Sequence, residues 1–100
     1  MLLYNVTVNI DHEVHDEWLE WMKTKHIPDV MNSKMFTEYR LCRLLNTDEE
    51  EGYTYAVQYT CNSMEQFDEY TKVYAPILKA AYQEKFEGKF VAFRSLLGVV

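Results

Sequence analysis

The sequence is short of the residues that interrupt or cross-link a chain: its 100 residues include three Gly, two Pro and two Cys. So little Gly and Pro, beside 48% hydrophobic residues, excludes a disordered or low-complexity polymer. Cys42 and Cys61 fall on strand patterns joined by a turn centred near Glu49 to Glu51. That register puts Cys61 opposite about position 39 and not opposite Cys42, so the two are expected to be reduced, small buried hydrophobes with no disulfide. Basic residues are few as well. Ten Lys and Arg face 16 Asp and Glu, a net charge of −6 without any basic cluster, which excludes nucleic acid and anionic membrane as partners. No apolar run reaches membrane-spanning length, and no basic leader, apolar core or cleavage site precedes the first strand pattern, so a cytoplasmic location is expected. At 12.0 kDa the chain is one domain, residues 1–100, with material for one core and a face to spare for a partner.

What is present is a pattern that occurs twice. Leu2, Tyr4, Val6, Val8 and Ile10 alternate with Leu3, Asn5, Thr7 and Asn9, the period of a strand with one apolar face. Asp11 is placed to cap a helix whose first turn carries Glu13, Asp16 and Glu17, and Val14, Trp18, Met22 and Lys25, with Leu19 and Trp21 beside them, predict that helix over about Glu13 to Lys25. Pro28 is expected to break it at His26-Ile27-Pro28, with a short turn to Met31 after the break. Phe36 to Leu45 predicts a second strand, and its Glu38, Arg40 and Arg43 mark an edge. A loop from Asn46 to Gly52 leads to a third strand, Tyr53 to Cys61. Ser63 and Gln66 form a capping box for a second helix, Pro76 enters the first turn of a further helical segment, and Gly88 ends it. Phe90 to Leu97, with Arg94 as its one interior charge, predicts the fourth strand.

Strand, helix, strand, taken twice, is the order of an α+β, ferredoxin-like βαββαβ domain with a four-stranded antiparallel sheet. The charge-free first and third strands are then central. Helices cover one face of such a sheet, and the other is left for solvent or another molecule. On the central strands that second face reads Asn5, Thr7, Asn9, Thr54, Ala56, Gln58 and Thr60, small and polar but uncharged, which suits a semi-enclosed cavity or a face buried in a homodimer. Leu3, Leu41, Leu45, Phe90 and Leu96 are expected to add apolar area that one subunit's helices cannot cover.

Trp18-Leu19-Glu20-Trp21-Met22, His26-Ile27-Pro28-Asp29-Val30, Met35-Phe36, Tyr55-Ala56-Val57-Gln58-Tyr59, Phe86 and Phe93-Arg94 resemble an uncharacterised bacterial family of about this length, within the dimeric α/β-barrel superfamily. The resemblance spans the whole chain. It implies two ferredoxin-like subunits packed sheet to sheet around a pair of cavities, and distant kinship with the antibiotic-biosynthesis monooxygenases, which work without a cofactor. In those enzymes a first-strand Asn with a nearby Trp or Tyr holds the substrate, a role that Asn5 or Asn9 with Tyr59 would echo. The related haem degraders use an axial His on the helix of the second half, whereas His12, His15 and His26 all precede the second strand, so haem is not implied.

The residues singled out as a ligand site are Asn5, Asn9, His26, Gln58, Tyr59 and Arg94. Asn9 and Gln58 would supply amides, Tyr59 an aromatic wall and His26 the entrance, while Arg94 is the interior charge. No catalytic set is identifiable. His26 alternatively caps the last carbonyls of its helix, His12 and His15 belong to a solvated helix start, and the acidic loop Asp48 to Glu51 lacks the spacing of a calcium loop, so no cofactor or metal is implied. Three functions remain: a homodimer that binds a small organic ligand, a cofactor-independent oxygenase, and an assembly module whose sheet face is the whole function.

Overall fold

The computed structural model describes all 100 residues. The strands are β1 (Leu2–Ile10), β2 (Glu38–Arg43), β3 (Tyr53–Cys61) and β4 (Phe90–Gly98), hydrogen-bonded in the order β2-β3-β1-β4 with every neighbouring pair antiparallel. The two charge-free strands are the central pair, as ferredoxin-like order requires. Between β1 and β2 run α1 (His15–Trp21) and α2 (Ile27–Met31); between β3 and β4 run α3 (Met64–Glu69) and α4 (Ala75–Lys85).

Neither helical run breaks. Across Met22–His26 the hydrogen bonding widens by one residue, the Ile27 N–H donating to the Met22 carbonyl, and α2 follows directly with Pro28 in its first turn. Tyr70–Tyr74 does the same in the second half, the Ala75 N–H donating to the Tyr70 carbonyl ahead of Pro76. The expected break at Pro28 is therefore corrected. Proline is barred from a regular helix because its ring meets the carbonyl four residues back, and a widened turn moves that carbonyl aside. At the other ends the side chains cap as the sequence implied: Asp11 accepts from the Glu13 amide at 2.8 Å and Ser63 from the Gln66 amide at 3.2 Å.

Alternation sorts the sheet into two unlike faces. Tyr4, Val8, Ile10, Tyr55, Val57 and Tyr59 point at the helices and are buried with Trp18, Met22, Ile27, Val30, Tyr70, Tyr82 and Phe86. The opposite face carries Asn5 paired with Gln58, Thr7 with Ala56 and Asn9 with Thr54. Most of its exposed apolar area comes from β4, where Val91, Phe93 and Leu97 are 72%, 62% and 42% exposed. The register places Leu41, Phe90 and Leu96 on the helix side, opposite Val57, Ile10 and Tyr4, so of the apolar residues expected on the outer face within the sheet only Leu3 lies there. β2 is also shorter than expected, because Phe36 turns into the core, 5% exposed, and leaves the pleat before Glu38. Both cysteines are free thiols and Cys61 is wholly buried, but the expectation of a buried Cys42 is corrected: paired with Ala56 on edge strand β2, it is exposed.

Gly52 closes the β2–β3 loop at φ +138°, where a Cβ would run into the Ile10 carbonyl and lie 2.8 Å from Asn9 Oδ1. Gly52→Ala is expected to cost at least ~2 kcal/mol in urea unfolding, since strain and collision add. An unchanged midpoint would show that the loop relaxes freely.

Candidate functional site

Tyrosine takes places in the helix-facing layer where an aliphatic side chain would fill the space without a polar atom. Tyr4 and Tyr59 are directly opposed on β1 and β3, ring centroids 6.1 Å apart, and Tyr70 packs 6.0 Å from Tyr4. With Tyr82, Met22, His26 and Arg94 they surround a partly enclosed cavity of about 30 Å³, the room of roughly one water molecule. No polar side-chain atom shut off from solvent lacks a partner. The hydroxyls of Tyr59 and Tyr70, which take no side-chain hydrogen bond from the protein, therefore open onto this space.

The widened turns carry two of these groups, His26 at the end of the first and Tyr70 at the start of the second. His26 stacks on Trp21 with centroids 5.0 Å apart and meets the Tyr82 ring edge-on at 4.9 Å. It caps no helix end, because the helix runs on through it. Burial holds its imidazole down to about pKa 4, the Asp29 carboxylate opposing and the Arg94 guanidinium adding to the effect, so His26 is neutral at pH 7. Burial drives the Tyr59 and Tyr70 phenols well above the ordinary tyrosine range, and brings Tyr82 to about 12 although the Trp18 indole donates to its hydroxyl. Burial also raises Tyr4, while the nearby Arg94 charge and hydrogen bonding counteract it.

Two larger depressions flank the cavity. One, of about 510 Å³, lies between α4 and β4 and shares Lys79, Tyr82 and Arg94 with it; the other, of about 420 Å³, lies between the helical runs and shares His26 and Leu78. The sheet thus divides the six residues singled out from the sequence. His26, Tyr59 and Arg94 come together on the helix side, whereas Asn5, Asn9 and Gln58 lie on the outer face, where Asn5 donates to Thr7 Oγ1 at 3.0 Å and Asn9 to Thr54 Oγ1 at 3.1 Å. The amides and the aromatic wall belong to different surfaces. Tyr4, Tyr70, Lys79 and Tyr82 were not foreseen in the site. Their signal was the run of tyrosines at core positions, each bringing a hydroxyl that needs a partner.

A second group of rings corrects the expectation of a solvated helix start. His15 bonds the Tyr55 hydroxyl through Nε2 at 2.7 Å and packs edge-on against Tyr53, and its side chain is 13% exposed. Arg43 stands 4.3 Å over the same Tyr53 ring.

A family model described as Domain of unknown function (DUF4286) matches residues 1–100, and the chain belongs to that family. No curated protein matches it. Among solved structures it is similar to an ethyl tert-butyl ether D (EthD) family protein from Bacillus halodurans, at 14% identity over 100% of both chains with a TM-score of 0.70. It is similar to SnoaB, a cofactor-independent oxygenase from Streptomyces nogalater, at 11% identity over 99% of this chain and 93% of that one, TM-score 0.71. A dimeric ferredoxin-like protein from an uncultured marine organism shares 11% identity over 100% of this chain and 95% of that one, TM-score 0.70. At these identities the likeness is one of fold. No helix is long and apolar enough to cross a membrane.

The depressed imidazole makes stability depend on pH. Between the ordinary value of 6.5 and about 4, the unfolded chain takes up a proton that native His26 refuses, so its contribution is whole above pH 6.5 and declines as the pH falls toward 4. The full span amounts to on the order of 3 kcal/mol. His26→Gln is expected to flatten that slope in urea unfolding at pH 7, 6, 5 and 4.5; equal slopes in the two proteins would place the imidazole in solvent.

Proposed function

We propose that this DUF4286 protein binds a small organic ligand between sheet and helices, as a homodimer joined through the outer sheet faces. The observation that carries ligand binding is the set of tyrosine hydroxyls and one neutral imidazole opening onto a shared space inside the apolar layer. These groups are open to the cavity and not shut away without partners, so a polar group of a ligand can take the place of water there. Filling the space with an apolar group instead would cost about 1–3 kcal/mol for each hydroxyl left unpaired. The cavity is small, so the ligand reaches it from the adjoining cleft with one group inside. The homodimer is supported by the uncharged central strip beside Val91, Phe93 and Leu97, and by the dimeric description of one structural neighbour.

SnoaB's description as a cofactor-independent oxygenase gives the second reading, an enzyme of that kind. Proton abstraction is its weak point here. No carboxylate lines the cavity, an imidazole near pKa 4 is a feeble base at neutral pH, and the tyrosines are feebler acids than usual. Asn5 and Asn9, the first-strand amides that such chemistry would use, are separated from Tyr59 by the sheet. Binding without reaction is therefore preferred.

Two variants test the two halves of the proposal. Thr7→Lys, on the outer face, is expected to turn a particle of twice 12.0 kDa into a monomer by light scattering, since a buried unpaired charge costs several kcal/mol, while leaving any retained small molecule in place. Tyr59→Phe is expected to do the reverse, keeping the dimer and losing the small molecule seen by mass spectrometry of solvent extracts. If Tyr59→Phe gains stability and no small molecule is found in either protein, the hydroxyl faces a dry core and the sheet face alone is the function.

A further inference from the structure

We infer that the ligand is an amphiphilic anion, a carboxylate on an aromatic or aliphatic body, with Arg94 and Lys79 holding the charge at the neck between cavity and cleft. This rests on the binding function proposed above and names its ligand class. The chain has 16 acidic and ten basic residues, yet the cavity lining carries two cations and no carboxylate. Local charge opposes global charge there.

Four of the other eight cations are matched within the protein. Lys25 pairs with Asp29, Arg43 with Glu49, Lys85 with Glu17 and Lys89 with Glu13, all at 2.6 to 3.4 Å. Arg94 and Lys79 make no such pair, which they share with Lys23, Lys34, Arg40 and Lys72, but they alone of the cations line the cavity. Arg94 also points inward: β4 is an edge strand, but the register sets Arg94 opposite Val6 on the helix-facing side, between Ala92 and Leu96 of the same face. An edge strand can use an inward charge to discourage pairing with another sheet, and long side chains reach back to water from such positions. That role alone would not require the guanidinium to stand among Tyr4, Tyr70, Tyr82 and His26, whose ionisation its charge perturbs.

The shape agrees with the charge. Arg94, Lys79 and Tyr82 border the small cavity and the 510 Å³ cleft alike, and Phe90, Ala92 and Ala80 give the cleft an apolar wall. An oxygen at the neck would find a planar, always charged donor and a second ammonium, with a body of benzene or naphthalene size lying along that wall. A neutral or cationic ligand would leave both charges to solvent alone.

The test is calorimetric titration at pH 7 with benzoate and 2-naphthoate, their neutral counterparts phenol and 2-naphthol, and the cations benzylammonium and 2-naphthylmethylammonium. At least one carboxylate is expected to bind tenfold or more tightly than its neutral counterpart, with the cations weakest. Because the protein is net negative, general electrostatics predict the opposite order. Arg94→Gln, at an exposed position, should abolish the preference for the anion and leave the neutral compound's affinity within twofold, and Arg94→Lys should restore part of it. If neutral compounds bind as well as anions, or Arg94→Gln leaves the ratio unchanged, the anion inference is wrong while the binding function stands. If none of the six compounds binds, both fall.

Discussion

The buried hydrogen bond from the Trp18 indole to the Tyr82 hydroxyl is the contact on which the rest of the helical layer depends. It joins residues 64 apart in sequence, one on α1 and one on α4, and satisfies both polar atoms at a depth where neither reaches water. Around it the rings lock in order: Trp18 against Tyr55 of the sheet, Trp21 and His26 against the Tyr82 ring, and Tyr82 against Phe90 of the edge strand. Tyr82 is thereby a fixed wall of the cavity, and the two halves of the chain are held at the spacing that leaves the cavity open. An aliphatic pair at these positions would bury comparable area but would orient nothing.

Each half then meets the same local problem, a proline two residues past the point where its helix turns over the sheet, and meets it with the same widened turn. Pro28 and Pro76 were read differently from sequence, one as a break and one as the first turn of a new segment, although the turns ahead of them are equivalent. The sequence period cannot show the difference, because a single widened turn shifts the apolar stripe by about one residue and leaves its average spacing near that of a regular helix. The consequence falls on His26. By running on instead of stopping, the first helical run keeps His26 facing the core, where burial strips its proton, and prevents it from becoming a helix-end cap.

The strands were far more legible than the site. Parity alone divides Tyr4, Val6 and Val8 from Asn5, Thr7 and Asn9, and charge alone separates central from edge strands, so topology and faces could be read with no structure in view. What parity does not say is which face holds the cavity. The uncharged polar strip looked like a lining, but Asn5 and Asn9 spend their amides on Thr7 and Thr54, and the space with hydroxyls still free lies behind the apolar face. A strand pattern treats Tyr as a core residue by its ring and ignores its oxygen, and for that reason Tyr4, Tyr70 and Tyr82 escaped notice. Lys79 escaped for the opposite reason: on a helix surface a lone lysine reads as solvated, and only the approach of α4 to β4 gives it a neighbour in Arg94.

Putting the two surfaces on opposite sides of one sheet also separates two kinds of binding physically. The proposed subunit contact on the outer face would desolvate Thr7, Ala56 and Phe93 without touching a helix, while the proposed ligand between sheet and helices would need only the helical layer to yield. The two central strands between them pair along their full length, from Leu2 with Cys61 to Ile10 with Tyr53. Charge follows the same division. The outer face is neutral along its centre, whereas the inner cavity is lined by two cations and no carboxylate in a protein whose net charge is −6. Those two cations beside tyrosine rings and a neutral imidazole, with no carboxylate in the lining, are what the proposed anion receptor would use and what a proton-abstracting catalyst would lack.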